Sequence, residues 1–248
     1  MDNHQGETML TSTRPFEGDS DDCRRAASSP ARPIRLMVVD DHPAVRLGLV
    51  QLLEGVRDFS VELVCGDAES ARAQAQLAKV DVAIVDYHLR GRNGLWVCRR
   101  LKQLADPPRV IIFSAFANDH LAACCVVAGA DGVLNKGALG SELCDAVRAL
   151  SRGRRLIPRP SQPMADMLRR RLDSTEQSIF GMLMAGISRS EIPQTLRLSA
   201  NELSVREGEM LRKLELLPGE GSAASRAARR LDVERPLPQE LRSAAARR

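Results

Sequence analysis

The sequence predicts an α/β protein: a doubly wound, five-stranded parallel sheet followed by a small all-α domain. Three observations carry that reading. Between positions 34 and 151, five short β-rich runs alternate with segments of helical period, the pattern of an open sheet with helices on both faces. The runs are apolar throughout rather than alternating, as parallel strands buried on both faces are. Beyond a stretch rich in Pro and Arg, apolar positions recur at helical spacing in a compact block at 172–217.

The elements follow in order. Residues 1–33 are polar, rich in Ser, Asp and Arg and without period, which predicts a disordered tail. "IRLMVV" at 34–39 is the first strand; it ends on Asp40 and Asp41, and Pro43 opens a helix near 43–54. "SVELV" at 60–64 precedes a helix near 68–79, and "VAIV" at 82–85 leads into Asp86 and a helix near 94–104. "RVIIFS" at 109–114 ends on Ser114 before a helix near 117–128. "GVLN" at 132–135 is followed by Lys136 and a helix near 139–151, so that 34–150 forms one domain. Residues 151–171 read as a basic linker, with Arg152, Arg154, Arg155, Arg159, Arg169, Arg170 and Arg171 against the single acid Asp166. Such a strip is either a solvated connector or a surface that lies along phosphate. The block at 172–217 divides into helices near 174–185, 189–196 and 200–214, with "SRSE" at 188–191 a capping box for the second. Residues 218–248 form an Ala- and Arg-rich tail with room for one short helix from Ser222, cut off by Pro218, Gly219 and Gly221.

Composition narrows the class. A chain of 248 residues suits one large domain or two small ones, and a 44% hydrophobic fraction supports a real core. With only 3% aromatic residues, aliphatic side chains must do most of the packing. No apolar run approaches the roughly 20 residues that span a bilayer, and the first thirty positions lack the apolar centre of a secretory signal. A soluble, cytoplasmic protein with no membrane partner is expected. The six cysteines (23, 65, 98, 124, 125 and 144) form no C-x-x-C pair and read as reduced thiols packed as small hydrophobes. A net charge of +4 is too small to argue for nucleic acid by itself.

In an open parallel sheet, ligands bind in the crevice beyond the carboxyl ends of the strands. Asp40, Asp41, Asp86, Ser114 and Lys136 all fall there. Each has an ordinary structural explanation taken singly: a helix cap for Asp41, a turn for Asp86, a loop hydroxyl for Ser114, a solvated charge for Lys136. Together, at corresponding ends of one sheet, they form a pattern. Three clustered carboxylates repel one another and make sense with a cation present, and all-oxygen ligands favour Mg²⁺. Lysine and serine would face the anion that the metal recruits, which describes a phosphoryl site.

The stretches "VVDDHPAVRLGL", "DVAIVDYHLRGRNGL", "VIIFSA" and "AGADGVLNKG" resemble the receiver domain of two-component response regulators of the NarL/FixJ type, over about 34–150. The resemblance implies a flavodoxin-like fold in which Asp86 accepts a phosphoryl group from a sensor histidine kinase. It implies that Asp40 and Asp41 hold Mg²⁺, with the backbone carbonyl of His88 as a further ligand. Ser114 and Lys136 would contact phosphoryl oxygens. The chain departs from the family at Val133, three positions before the lysine, where many receivers carry an aromatic residue that reports phosphorylation.

Residues 172–216 resemble the LuxR-type helix-turn-helix of the same family, with Glu176, Gly186, Ile192, Leu196, Leu198, Val205 and Leu214 on its framework. That places Val205 on base edges and Arg206 on a phosphate, with Arg189, Arg197, Ser204, Arg212 and Lys213 as further contacts to double-stranded DNA. Three departures stand against it. Pro193 falls inside the second helix, where an interior proline costs about 3 kcal/mol, and Gly208 in the third costs roughly 1 kcal/mol. The third helix also carries Glu202, Glu207 and Glu209 against Arg206, Arg212 and Lys213, so it brings no net charge to a negatively charged groove.

The expected function is that of a response regulator, phosphorylated on Asp86, that binds DNA as a homodimer to control transcription. It is not an enzyme beyond accepting, and itself hydrolysing, its own phosphoryl group. The alternative is a phosphorylation-dependent interaction or dimerisation module whose helix-turn-helix has lost DNA. A phosphatase of the haloacid-dehalogenase type is more distant, because the second Asp it needs two residues after the nucleophile is here His88.

Overall fold

A computed structural model describes residues 32–215. The polar stretch before Arg32, Cys23 within it, and the expected helix near Ser222 lie outside the described residues. Strands β1 (Ile34–Val39), β2 (Phe59–Cys65), β3 (Val82–Asp86), β4 (Arg109–Ser114) and β5 (Gly132–Asn135) form one parallel sheet in the order β2-β1-β3-β4-β5. Helices α1 (Pro43–Glu54), α2 (Ala68–Gln74), α3 (Gly94–Leu101), α4 (Asp119–Ala128) and α5 (Gly140–Ser151) alternate with them.

Side chains point alternately to the two sheet faces. Leu36, Val38, Val82, Ile84, Ile111 and Phe113 pack with Leu49 and Leu53 of α1 and with Leu143, Val147 and Leu150 of α5. Met37, Val39, Ala83, Val85, Val110 and Ile112 pack on the other face with α2, α3 and α4. The sheet is thus buried on both sides, as its unbroken apolar strands require.

The basic connector differs from its reading as a plain linker. Leu156 forms an isolated parallel bridge with Gly132, and its amide donates to Asp131 O at 2.7 Å. The chain therefore first extends the β5 edge of the sheet. It then forms α6 (Gln162–Arg171), whose N-cap Ser161 accepts from Met164 N. Met164, Leu168 and Leu172 are buried from this segment, an i, i+4, i+8 apolar stripe.

Three helices complete the block: α7 (Ser174–Met184), α8 (Ile192–Leu196) and α9 (Ala200–Glu215). A capping box of Asp173 and Glu176 starts α7, where such a cap stabilises by about 1 kcal/mol. The second helix begins at Ile192, later than the expected 189, so Pro193 sits in its first turn. There its missing N–H has no helical acceptor to lose. The anticipated interior-proline penalty does not arise. The turn out of α8 runs through Arg197 at φ 55°, the one non-glycine residue with positive φ among those described.

One apolar core spans both parts. Ile179, Phe180, Leu183, Ile192, Leu203, Met210, Leu211 and Leu214 of the block belong to the same buried cluster as α3, α4 and the sheet. In α4 every residue from Leu121 to Ala128 is buried. A helix that is apolar on all sides needs cover on all sides; here the sheet supplies one cover and the helical block the other.

Candidate functional site

The strand register assembles the crevice. Val39 pairs with Val85, so Asp40 and Asp86 leave adjacent strands at the same level. Asp86 pairs with Phe113 and Ser114 with Asn135, which brings Ser114 and Lys136 to the same edge. Gly94 fixes the loop beneath Asp86: a Cβ there would lie 2.2 Å from the Asp86 carbonyl oxygen, so no other residue fits without moving the strand end.

Asp86 is 3% exposed, Asp40 1% and Ser114 0%. Lys136 Nζ donates to Asp40 Oδ2 at 2.7 Å and lies 3.0 Å from Asp86 Oδ2, close enough for an ion pair but not aligned for a hydrogen bond. Asp86 Oδ1 accepts from His88 N at 3.2 Å, and Asp40 Oδ1 accepts from His42 N at 2.8 Å. Ser114 Oγ accepts from Phe116 N at 3.1 Å, which leaves its own proton to donate.

Burial raises the Asp86 carboxyl above its ordinary value; Lys136 opposes this and Asp40 adds to it. Burial pulls Lys136 down, but the carboxylates of Asp40 and Asp86 outweigh it and hold the ammonium above its usual range. Asp41 Oδ1 and Asp86 Oδ2 are buried oxygens without hydrogen-bond partners, although Asp41 Oδ1 lies 2.8 Å from His42 Nδ1. Unsatisfied carboxylate oxygens facing one another are costly unless a cation joins them. Asp40, Asp41, His42 and Asp86 offer ligand atoms within 4.8 Å of one another. The three acids suit a hard divalent cation. His42 is the member that motif reading passed over, and its signal was only its place beside the acid pair.

The second cluster lies on the helical block. Among the residues expected to meet DNA, Val205 is 53% exposed, and Arg197 and Arg212 are also exposed. The others are engaged within the chain. Arg206 Nη1 bonds Asp173 Oδ2 at 3.2 Å. Lys213 Nζ bonds both oxygens of the fully buried Glu176 at 2.7 and 2.6 Å, so it completes the core of the block rather than reaching a phosphate. Arg189 turns toward the sheet domain: Nε donates to Glu207 Oε1 at 2.8 Å, and Nη2 donates to Val127 O at 2.8 Å and Val126 O at 3.3 Å. Gly129, at φ 89° after α4, makes room for that guanidinium. A Cβ there would meet Arg189 Nη1 at 2.7 Å.

From α3, Arg99 Nη2 donates to Ser204 O at 3.0 Å. Arg155 Nη1 donates to Leu183 O at 2.6 Å, and Ser161 N to Asp119 Oδ2 at 2.9 Å. Positions 204, 207 and 208 of α9 therefore face α3 and α4. Glu207 is 6% exposed, and burial raises its carboxyl above the usual range against the pull of Arg189 and Arg99.

Comparison with known proteins adds a family and a set of relatives. Residues 36–148 match the family described as response regulator receiver domain. The chain is 33% identical to the transcriptional activator protein ExaE of Pseudomonas putida, over 68% of this chain and 84% of that one. It is 29% identical to the DNA-binding transcriptional activator DevR/DosR of Mycobacterium tuberculosis, over 73% of this chain and 88% of that protein. It is also 29% identical to the nitrate/nitrite response regulator protein NarP of Escherichia coli, over 75% and 91%. Among solved structures, the RcsB–DNA complex superposes with a TM-score of 0.50 at 19% identity, over 76% of this chain and 95% of RcsB, a likeness of fold. No helix among the described residues is long and apolar enough to cross a membrane.

Proposed function

This chain belongs to the response-regulator family, and on that premise we propose that Asp86 accepts a phosphoryl group from a partner histidine kinase and that the transfer controls DNA binding by α7–α9. The observation that carries the chemistry is the buried Asp86 carboxylate beside Lys136 and two further acids. An Asp86 oxygen attacks phosphorus, the bond to the kinase imidazole breaks, and the product is an acyl phosphate. Asp40, Asp41, Asp86 and the His88 carbonyl would hold Mg²⁺, which when bound would supply positive charge to offset the carboxylates and the phosphoryl oxygens. Lys136, now shared between Asp40 and Asp86, re-pairs with a phosphoryl oxygen, and the Ser114 hydroxyl donates to another.

The relatives described as transcriptional activators and the bound DNA of the RcsB complex support transcription control as the output. The lack of net positive charge on α9, which had suggested an interaction module, has a different account. Glu207 is committed to Arg189 and Lys213 to Glu176, so the sum of charges on the helix does not describe the face it offers a groove. In the arrangement described, α9 rests on α3 and α4, and DNA binding requires the block to leave that position and pair with a second copy.

Phosphorylation by a small acyl phosphate with Mg²⁺, followed by intact mass, tests the reading. Wild type gains one phosphoryl group and Asp86→Asn gains none, because the amide is a poor nucleophile. Full labelling of the variant would sink the assignment.

A further inference from the structure

The acid pocket contains a donor that the phosphoryl chemistry leaves unused. His42, at the N-cap of α1, makes no side-chain capping bond. Its Nδ1 lies 2.8 Å from Asp41 Oδ1 and 3.6 Å from Asp40 Oδ1. About half of the imidazole is exposed, at 53%, so the ring is free to adjust while the buried carboxylates stay fixed. The pocket also holds the buried Asp86 Oδ2, whose one close partner is the Lys136 ammonium at 3.0 Å, without an aligned hydrogen bond.

We propose that the pocket has a second coordination mode, in which a borderline divalent cation such as Zn²⁺ or Ni²⁺ is held by His42 Nδ1 together with Asp40, Asp41 and Asp86, and that occupancy by tetrahedral Zn²⁺ shuts off phosphorylation. The shut-off part of the proposal rests on Asp86 being the phosphoacceptor; the coordination part does not.

The argument is one of donor chemistry and size. Mg²⁺ prefers oxygen and keeps its waters. An imidazole nitrogen adds little for it but much for Zn²⁺, Ni²⁺ or Cu²⁺. A tetrahedral ion with bonds of about 2.0–2.1 Å has ligand atoms roughly 3.3 Å apart. The His42–Asp40 separation of 3.6 Å is already near that edge, and the His42–Asp41 contact of 2.8 Å must open slightly. The whole group lies within 4.8 Å, so the remaining adjustment falls to His42 and Asp41. A ring that ligates through Nδ1 carries its proton on Nε2.

Charge also balances: three carboxylates meet a divalent ion and the Lys136 ammonium. Mg²⁺ in such a site retains waters that a phosphoryl oxygen can replace. Four protein ligands on a tetrahedral ion leave no open position. Occupancy in this mode therefore removes the place for the incoming phosphoryl oxygen, whereas the Mg²⁺ mode, which also uses Asp86, keeps waters to give up.

The test uses the full chain and its His42→Asn variant, asparagine being a good N-cap residue that does not disturb the entrance to α1. Zn²⁺ and Ni²⁺ affinities are measured by competition with a chromophoric chelator, and Mg²⁺ affinity by direct titration. His42→Asn is expected to weaken Zn²⁺ and Ni²⁺ at least tenfold while Mg²⁺ changes less than twofold. Asp41→Ala should weaken all three. In a phosphorylation assay with Mg²⁺, added Zn²⁺ should inhibit wild type at concentrations that leave His42→Asn active.

Equal Zn²⁺ affinity in wild type and His42→Asn would overturn the proposal, as would Zn²⁺ binding that survives Asp41→Ala. A parallel loss of Mg²⁺ in His42→Asn would overturn it too, because the ring would then only support the pocket. Failure of Asp86 to label in Mg²⁺ alone would instead count against the phosphoacceptor reading and leave the coordination result standing.

Discussion

In the strand-end pocket, Asp40, Asp41 and Asp86 face the single ammonium of Lys136, with Arg90 only at the rim, 3.5 Å from Asp41. In the seam between α4 and α9, Arg189 Nε donates to Glu207 and its Nη2 donates to the carbonyls of Val126 and Val127. The first region carries surplus negative charge and unsatisfied oxygens. The second is balanced. Surplus charge at a buried site is an invitation to a ligand, whereas Arg189, paired with Glu207 of its own block and bonded to the α4 carbonyls, holds two surfaces together until something turns it away. The same residue types therefore make a reaction site at one end of the molecule and a clasp at its side.

The sharpest way to break the comparison is to upset the balanced side. Glu207→Lys sets an ammonium against Arg189, its partner within the block, and so turns that guanidinium away from the α4 carbonyls it bonds. With Arg189 about a third exposed, the loss is expected to be on the order of 2 kcal/mol, a shift of roughly thirtyfold toward the released block. Limited proteolysis between Arg152 and Ser161, or small-angle scattering, should report the release without any DNA present. Stronger DNA binding should follow from the exposed α9 face rather than from removal of phosphate repulsion alone.

Gly129→Ala tests the same clasp from the receiver side. A Cβ at positive φ carries strain of about 1–2 kcal/mol and presses on Arg189. A lowered melting temperature and a partial version of the Glu207→Lys release are expected. If Gly129→Ala lowers the melting temperature much less in an Arg189→Ala chain than in wild type, the steric conflict, not the strain, dominates.

A smaller effect sharpens the electrostatics. The raised Glu207 carboxyl means that the docked state binds a proton more readily than a released, exposed glutamate with its value near 4.3. Between the exposed and the docked values the docked state holds more protons, so lowering the pH through that window favours docking and raising it favours release. An interdomain distance followed from neutral to mildly acidic pH should shorten in wild type and lose that dependence in Glu207→Gln.

The smallest change is expected from Glu209→Lys. Glu209 makes only a loose exposed pair with Arg212 at 3.8 Å. Docking should be unaffected, while the slope of log DNA affinity against log salt steepens by about 0.9 for one added phosphate contact.

The pocket was legible in the chain because each of its groups interrupts an apolar strand at a fixed end: Asp40 after "IRLMVV", Asp86 after "VAIV", Ser114 closing "RVIIFS". Parallel register then does the assembly with little freedom. The seam was not legible in that way. Arg189 and Glu207 are eighteen residues apart and read as a DNA-facing charge and a DNA-repelling one, because nothing local says that a third surface, the end of α4, lies between them. A signal did exist in "LAACCVVA", apolar on every side, which a helix covering one sheet face does not need. Helix α6 was hidden for another reason: Pro163 and the arginine run look like a linker, yet Pro stands in the first turn and the arginines in the last, where each is favourable.

The double cover of α4 makes release a question of mass action. When the block leaves, apolar surface that now packs against it turns to water, at about 25 cal/mol for each Å². A second copy that covers this surface repays that cost; an isolated molecule has only solvent to offer. The released fraction therefore rises with the amount of protein as well as with the fraction phosphorylated. A cell that makes little of this regulator would hold it silent even under full stimulus, and the threshold would fall as its expression rises.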